Sequence, residues 1–338
     1  MSTIKAINVQ HPSASTINIV NDASGNVTAG GTVAMASSFK RNRLINGNMG
    51  VWQRGTSGFT TNNSYCADRW IAKADTSFTS AAQSSDVPAG YQYSLTVTGT
   101  GYAGISQRIE AVNCYGLVGQ SVTISFWAKQ TTGAGANSLS VAIYYPTAGV
   151  DNYTGGVTQI GSTIYVTGTT SWVQYSVTFS GLPSGALSGL ALYVVANVAG
   201  SSTVLLTGVQ LEVGTKATPY EMQIYSDQLA QCQRYYWKTY NQSTVPGAAS
   251  STATYRTRAY VGSYAAAVVQ FPVLMRTTPT VTLYNPTTGS TNSWRNVDDS
   301  TNATAGLSTV QDSAVVTESS SVTTNNSYFF QIVASAEL

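Results

Sequence analysis

Alternation with a period of two runs through the middle of the chain and restricts it to sheet. Within 121–129, Val122, Ile124 and Phe126 fall on one face, and Ser121, Thr123 and Ser125 on the other. Within 172–179, Val173, Tyr175, Val177 and Phe179 oppose Trp172, Gln174, Ser176 and Thr178. Successive side chains of a strand point to opposite faces, so each run describes a sheet with one buried side. Further runs rich in Val, Ile, Tyr and Phe lie at 69–74, 93–97, 103–109, 139–145, 190–195 and 205–213, separated by Gly, Ser, Asn and Pro clusters. About eight such strands predict an all-β fold, a two-sheet sandwich or jelly roll. No rung-length repeat is present, which argues against a β-helix.

The flanks differ from this centre. Segment 1–43 holds short apolar alternations around a hairpin loop at 21–26, and too few apolar side chains for a core of its own. It is expected to order only against another chain or a larger body. After the sandwich, Leu229, Cys232 and Tyr236 follow helical spacing, with Ser226 as a cap and Asp227 in the first turn. The sequence therefore predicts a helix over 226–240. Beyond it, strands are predicted at 259–261, 265–271, 280–284, 314–317 and 328–333, with polar loops at 285–306 and 318–327. The expected organisation is an arm (1–43), a jelly roll (44–222), a connecting helix (223–240) and a small β domain (241–338).

Charged residues are only 9% of the chain against about 25% in ordinary soluble domains. The net charge is +2, and Lys40, Arg41 and Arg43 are the one tight basic cluster, so a nucleic-acid partner is not expected. No apolar run is long enough to span a bilayer, and none follows a basic N-terminal stretch as in a secretory signal. Synthesis in a cytoplasm without membrane insertion is the expectation. Cys66, Cys114 and Cys232 are odd in number and far apart, which reads as buried reduced thiols.

Several stretches resemble one family in the same order. Arg43-Leu44-Ile45-Asn46-Gly47-Asn48-Met49 followed by Val51-Trp52-Gln53-Arg54-Gly55 is similar to the opening of a jelly-roll domain found in phage and prophage tail-fibre proteins. Tyr65-Cys66-Ala67-Asp68-Arg69-Trp70, the strand at 122–129, and Gln210-Leu211-Glu212-Val213-Gly214 with Ala217-Thr218-Pro219-Tyr220-Glu221 resemble its later motifs. Leu229-Ala230-Gln231-Cys232-Gln233-Arg234-Tyr235-Tyr236 looks like the helix that follows it. Val269-Gln270-Phe271-Pro272-Val273, Met275-Arg276 and Pro279-Thr280-Val281 resemble the start of the small C-terminal domain. The resemblance covers about 43–285. It implies a virion appendage, usually a homotrimer, with carbohydrate-binding-module-like jelly rolls. Read from the residues alone, these motifs specify fold: Asn46-Gly47-Asn48 a turn with Gly at positive φ, Asp68-Arg69 an ion pair, Trp70 and Trp127 core, and Glu212 a strand end.

Chemistry is sparse. His11, the one histidine, lies in the arm, which removes histidine-based triads from the folded parts, and no His or Cys cluster has metal-ligand spacing. Neither a cofactor nor a metal is implied. Two carboxylates suffice for glycoside hydrolysis, but Asp68, Asp75, Asp86, Glu110, Asp151, Glu212, Asp298 and Asp299 form no recognisable pair. The expectation is a non-enzyme. Sugar binding needs only aromatic faces and uncharged hydrogen-bonding groups. Tyr144, Tyr145 and Tyr153 on a strand end and its loop are candidates, with Tyr284 and Trp294 as a C-terminal recognition surface. Expected partners are two further copies of the chain, other phage tail or capsid proteins through the arm, and host surface polysaccharide. The alternative is a capsid-decorating head fibre or cement protein with a structural role only.

Overall fold

The computed structural model describes residues 19–21, 27–29, 40–260 and 262–338. The chain divides into two units, Met1–Arg41 and Asn42–Leu338. In the first, β1 (Ile19–Asn21) pairs antiparallel with β2 (Val27–Ala29), the hairpin expected around 21–26. The anchoring role expected of 1–43 otherwise falls outside the described residues.

The second unit opens with β3 (Ser64–Tyr65), β4 (Ile71–Lys73), β5 (Ser77–Ser84), β6 (Ser94–Gly101), β7 (Gly104–Ile109) and β8 (Val122–Thr132). There follow β9 (Gly135–Pro146), β10 (Val157–Gly168), β11 (Val173–Phe179), β12 (Leu190–Ala196) and β13 (Val198–Val213). They form two antiparallel sheets, ordered β10-β9-β12-β7-β4-β3 and β11-β8-β13-β6-β5. This is an all-β jelly-roll sandwich. The alternation fixes what lies between the sheets. Val122, Ile124 and Phe126 of β8 face Leu139, Val141 and Ile143 of β9 and Leu190, Leu192 and Val194 of β12 across one core. Trp70 belongs to that core, but Trp127 lies on the opposite face of β8 from Phe126 and is only half-buried.

The helix is shorter than its periodicity predicts. α1 spans Tyr225–Gln233, with Asp227 in its first turn, and Ile224 rather than Ser226 is its N-cap, with no side-chain capping bond. Tyr236–Lys238 forms β14 instead, paired with β22 (Ser327–Ser335). Tyr235, Tyr236 and Trp237 are large aromatics that suit a buried strand, and all three are buried. The remaining strands are β15 (Tyr255–Arg258), β16 (Ala265–Gln270), β17 (Thr280–Tyr284), β18 (Ser293–Asn296), β19 (Thr301–Thr304), β20 (Gly306–Val310) and β21 (Ala314–Ser319). β22 is the hub, pairing with β14, β15, β17 and β18, while β16-β21-β20 makes a separate sheet. Their core gathers Trp237, Phe271, Leu283, Trp294, Tyr328, Phe330 and Ile332.

The motif residues weld these two cores together. Asn46 takes a left-handed backbone (φ 59°) and accepts at Oδ1 from the Val51 amide at 2.9 Å and from Gln228 of α1 at 2.6 Å. Its Nδ2 donates to the carbonyls of Val51 (2.9 Å) and Asp68 (3.0 Å). Gly47 is needed for space rather than for positive φ, because a Cβ there would collide with the Val209 carbonyl oxygen. Gly47→Ala is expected to destabilise the unit by about 1–3 kcal/mol, read as a lower urea midpoint.

Asp68 and Arg69 do not pair with each other. Asp68 receives Gln53 through its backbone amide (3.1 Å) and side chain (2.6 Å), and Arg54 at 3.5 Å. Burial pushes the Asp68 carboxyl up, while Arg54 pulls it back down. Arg69 pairs with Glu337, which also takes Arg54 at 2.9 Å. The Arg54 guanidinium lies over the Tyr236 ring and that of Arg69 over the Tyr235 ring, each 3.6 Å from the ring centre. Two motifs of the sandwich, carrying Arg54 and Arg69, are thus completed by Glu337, two residues past β22.

Candidate functional site

The outer face of the six-stranded sheet carries a groove of about 410 Å3. Alternation builds it. On β9, Leu139, Val141 and Ile143 point into the core, so Ser140, Ala142 and Tyr144 point out. On β12, Leu192 and Val194 point in, so Tyr193 and Val195 point out. Register sets Ala142 beside Tyr193, Ser140 beside Val195 and also beside Tyr165 of β10, and Gly104 of β7 beside Val195 and Lys73. Small residues therefore form the floor and tyrosines stand around it. At Gly104 a Cβ would press on the Val194 oxygen and Val195 Cα, so β7 can approach β12 there only with glycine.

The walls are aromatic and polar. Tyr144 and Tyr193 meet edge to face at 5.2 Å, and Tyr102 and Tyr165 are each 47% exposed, leaving ring surface free for a ligand. The Tyr144 hydroxyl donates to Gln159 Oε1 at 3.3 Å, and Gln159 donates in turn to Thr163 Oγ1 at 3.0 Å. Partial burial pushes the phenols of Tyr144 and Tyr193 up, so both remain donors at neutral pH. Lys73 Nζ lies 4.9 Å from the Tyr193 ring centre. Burial holds the Lys73 ammonium below the usual lysine range; Asp75 raises it and Arg108 lowers it further. Asp75 is the single carboxylate on the lining. The arrangement can stack a flat apolar ring face and hydrogen-bond the hydroxyls around it. Its lining carries one carboxylate, where paired-carboxylate glycoside hydrolysis uses two.

The other acidic candidates are engaged in structure. Glu110 receives Arg234 at 3.1 Å, and Asp151 accepts the Ala111 amide at 2.8 Å. Glu212 does not merely end a strand: it is buried and holds Thr218 by amide (2.8 Å) and hydroxyl (2.7 Å). Asp86 binds Lys129 at 2.6 Å and Trp172 at 2.8 Å. Asp298 accepts the Ser327 amide, and Asp299 accepts Asn296 at 3.1 Å. Among the described residues no three His, Cys, Asp or Glu side chains gather as a metal site, and no helix is long and apolar enough to cross a membrane.

Of the expected sugar-binding tyrosines, the structure places Tyr144 in the groove. Tyr145 points the other way, packed on the sandwich core with Gly185 against its ring. The Tyr153 hydroxyl lies 2.9 Å from both the Ile109 and Leu190 carbonyls and braces the paired ends of β7 and β12. Tyr284 packs on Tyr240 at 6.1 Å. Trp294 is not in a loop. It sits on β18 with no exposed surface, stacked 5.3 Å from Phe330, so it offers nothing to a ligand. Tyr102, Tyr165 and Tyr193 were not singled out from the sequence. The outward small residues Ser140 and Ala142, opposite the lone outward tyrosine of a Leu-Ala-Leu-Tyr-Val-Val strand, were the available signal.

No protein-family model matches the chain, and no curated protein matches its sequence. Among solved structures, the chain is similar to the CBM22-1 xylan-binding domain of Paenibacillus barcinonensis Xyn10C, at 18% identity, over 48% of this chain and 94% of that one, with a TM-score of 0.32. TmCBM61, solved with β-1,4-galactotriose, gives 16% identity over 52% of this chain and all of that one, with a TM-score of 0.30. The enzymatically active domain of bacteriophage CBA120 tailspike protein 4 gives 19% identity over 52% of this chain and 22% of that one, with a TM-score of 0.32. These likenesses are distant, and the jelly-roll assignment rests on the strand order and core described above.

Proposed function

We propose that this chain is a non-catalytic attachment component of a phage particle that binds host surface polysaccharide in the tyrosine groove of its six-stranded sheet. The groove carries the reading: four tyrosines, Tyr102, Tyr144, Tyr165 and Tyr193, surround a small-residue floor with a single carboxylate on the lining. Aromatic faces with neutral phenol donors suit pyranose rings, and one carboxylate does not suit cleavage. The ordered motifs from Arg43 to Val281 support the virion setting, with the arm as anchor and three copies as the assembly. Three weak sites on one particle appendage would act together through effective concentration.

The test is affinity gel electrophoresis of the full chain through a panel of bacterial capsular polysaccharides and lipopolysaccharide O-chains. At least one polymer should retard the protein. Tyr193→Ala should weaken that binding about tenfold or more, which is about 1.4 kcal/mol, at unchanged thermal stability. Retardation by no polymer, or retardation indifferent to Tyr193→Ala and Tyr144→Ala together, would sink the groove as the site. Gold-labelled antibody on intact particles checks the setting. Label at the tail fits attachment, label spread over the head fits decoration, and label on no particle defeats both.

A further inference from the structure

A second groove, of about 490 Å3, lies between the Asn46 turn and the start of α1. Asn48 lines it from the turn, Gln92 and Tyr93 from the loop ahead of β6, and Gln223, Tyr225 and Gln228 from the segment that enters α1. None of its lining residues is charged. A side-chain amide carries both donors and an acceptor, and Gln228, whose two hydrogens go to Asn46 and Asn48, keeps its oxygen for a ligand. The amides are braced rather than free to swing. Gln228 is buried and donates to Asn46 and Asn48 Oδ1, both at 2.6 Å. Gln223 Oε1 accepts from Gln231 at 3.1 Å, and Gln92 donates to the Tyr93 hydroxyl at 3.2 Å. Gly50 keeps the space above them open: a Cβ there would stand 3.3 Å from Asn48 Oδ1 and 3.4 Å from Gln228 Nε2. Tyr225 is 51% exposed and presents ring surface at the rim.

We propose that this groove is a second saccharide site, specific for a neutral sugar unit and independent of whether the sheet groove binds anything. The amide hydrogens of Asn48 and Gln223 and the amide oxygens of Gln92 and Gln228 can meet neighbouring hydroxyls of a pyranose, and pre-set side chains lose little entropy on binding. A lining without cations gives an anionic ligand nothing to pair with. The walls are a turn, a loop and a helix, so an extended peptide would find no strand edge to join.

Met222 supplies a local reporter. It lines the groove, is 53% exposed, and its sulfur lies 3.8 Å from Asn48 Nδ2. The full chain carrying [13C-methyl]methionine would be titrated with neutral gluco-, galacto-, manno- and N-acetylglucosamine trisaccharides. Titration to about 10 mM would mostly fill even a site with a Kd of about 1 mM. The expected result is a saturable shift of the Met222 methyl, assigned with Met222→Leu, for at least one sugar. The shift should persist in Tyr193→Ala, and its midpoint should rise about tenfold in the Gln92→Ala/Tyr225→Ala double variant, whose changes are at exposed positions. No movement at Met222 with any sugar, or a shift unaltered by the double variant, overturns the proposal. Binding that vanishes only in Tyr193→Ala would overturn it while leaving the sheet groove standing.

Discussion

Replacing Glu337 with alanine is expected to lower the unfolding free energy by about 3–5 kcal/mol, the usual cost of stranding a buried charge. Glu337 is the carboxylate that Arg54 and Arg69 share, and Arg69 is only 1% exposed. Without it, Arg69 keeps the Arg108 carbonyl at 2.7 Å and the Tyr235 ring, neither of which carries a countercharge. Arg54 keeps Asp68 alone, at 3.5 Å. Glu337→Gln retains shape and removes charge, so it should lose most of the same stability. Urea unfolding of the two variants and the parent decides the matter. A loss below about 1 kcal/mol, the scale of exposed ion pairs, would mean that water reaches the cluster and that it does not hold the two cores together.

The second large effect is alkaline. Cys66, Cys114 and Cys232 are all buried and free. Burial pushes the thiols of Cys66 and Cys114 up to about 12, and that of Cys232 well above its ordinary value. An unfolded chain releases these protons near pH 8.5–9, before the folded chain does. Stability is therefore complete below that range and is lost as pH climbs toward 12, by about 1.4 kcal/mol per thiol per pH unit. Lys238 works in the opposite sense. Burial lowers its ammonium to about 8, so the folded chain sheds a proton first and gains stability between about 8 and 10.4. Three thiols outweigh one lysine, and the net loss from these four groups between pH 9 and 10 should be about 2 kcal/mol. Urea midpoints across pH 7–10 measure it. Ellman's reagent at pH 8 gives an independent reading: no thiol should react in the folded chain, and all three should react in urea. Rapid labelling of the folded chain would refute the shielding on which the pH argument depends.

How far residue pattern alone reaches depends on how local each signal is. The strands β8, β11 and β12 announce themselves because alternation is written in consecutive residues. β10 passed unnoticed. Its Thr-Gln-Ile-Gly-Ser-Thr stretch is a sheet edge with mostly polar side chains, and a bulge near Gly161 (φ 63°) interrupts its period. β18 and β19 were read as loop for a related reason. Asn, Ser and Thr dominate there, and only the inward Trp294 and Ala303 mark the buried face. Helical spacing carried 226–240 too far, because Tyr236 obeys a helix register and a strand register equally until β22 is there to pair with it. The sheet groove was half legible. Tyr144 stood out by residue type, but Tyr165 and Tyr193 come beside it only through register across three strands. Least legible was the role of Arg54 and Arg69, whose shared carboxylate lies more than 260 positions along the chain.

That separation bears on how the protein is born. Contacts between residues more than 260 positions apart form late, since loop closure must be met before they contribute. A nascent chain can lay down the sandwich strands as they emerge, but Arg69 stays without its countercharge, and Arg54 has only Asp68, until residue 337 has left the ribosome. Translation that stalls or stops short of it would release a sandwich with an open, cation-bearing seam beside the aromatic faces of Tyr235 and Tyr236. Such a product is marked for capture by chaperones or proteases. Closing the seam therefore waits on Glu337, two residues past β22.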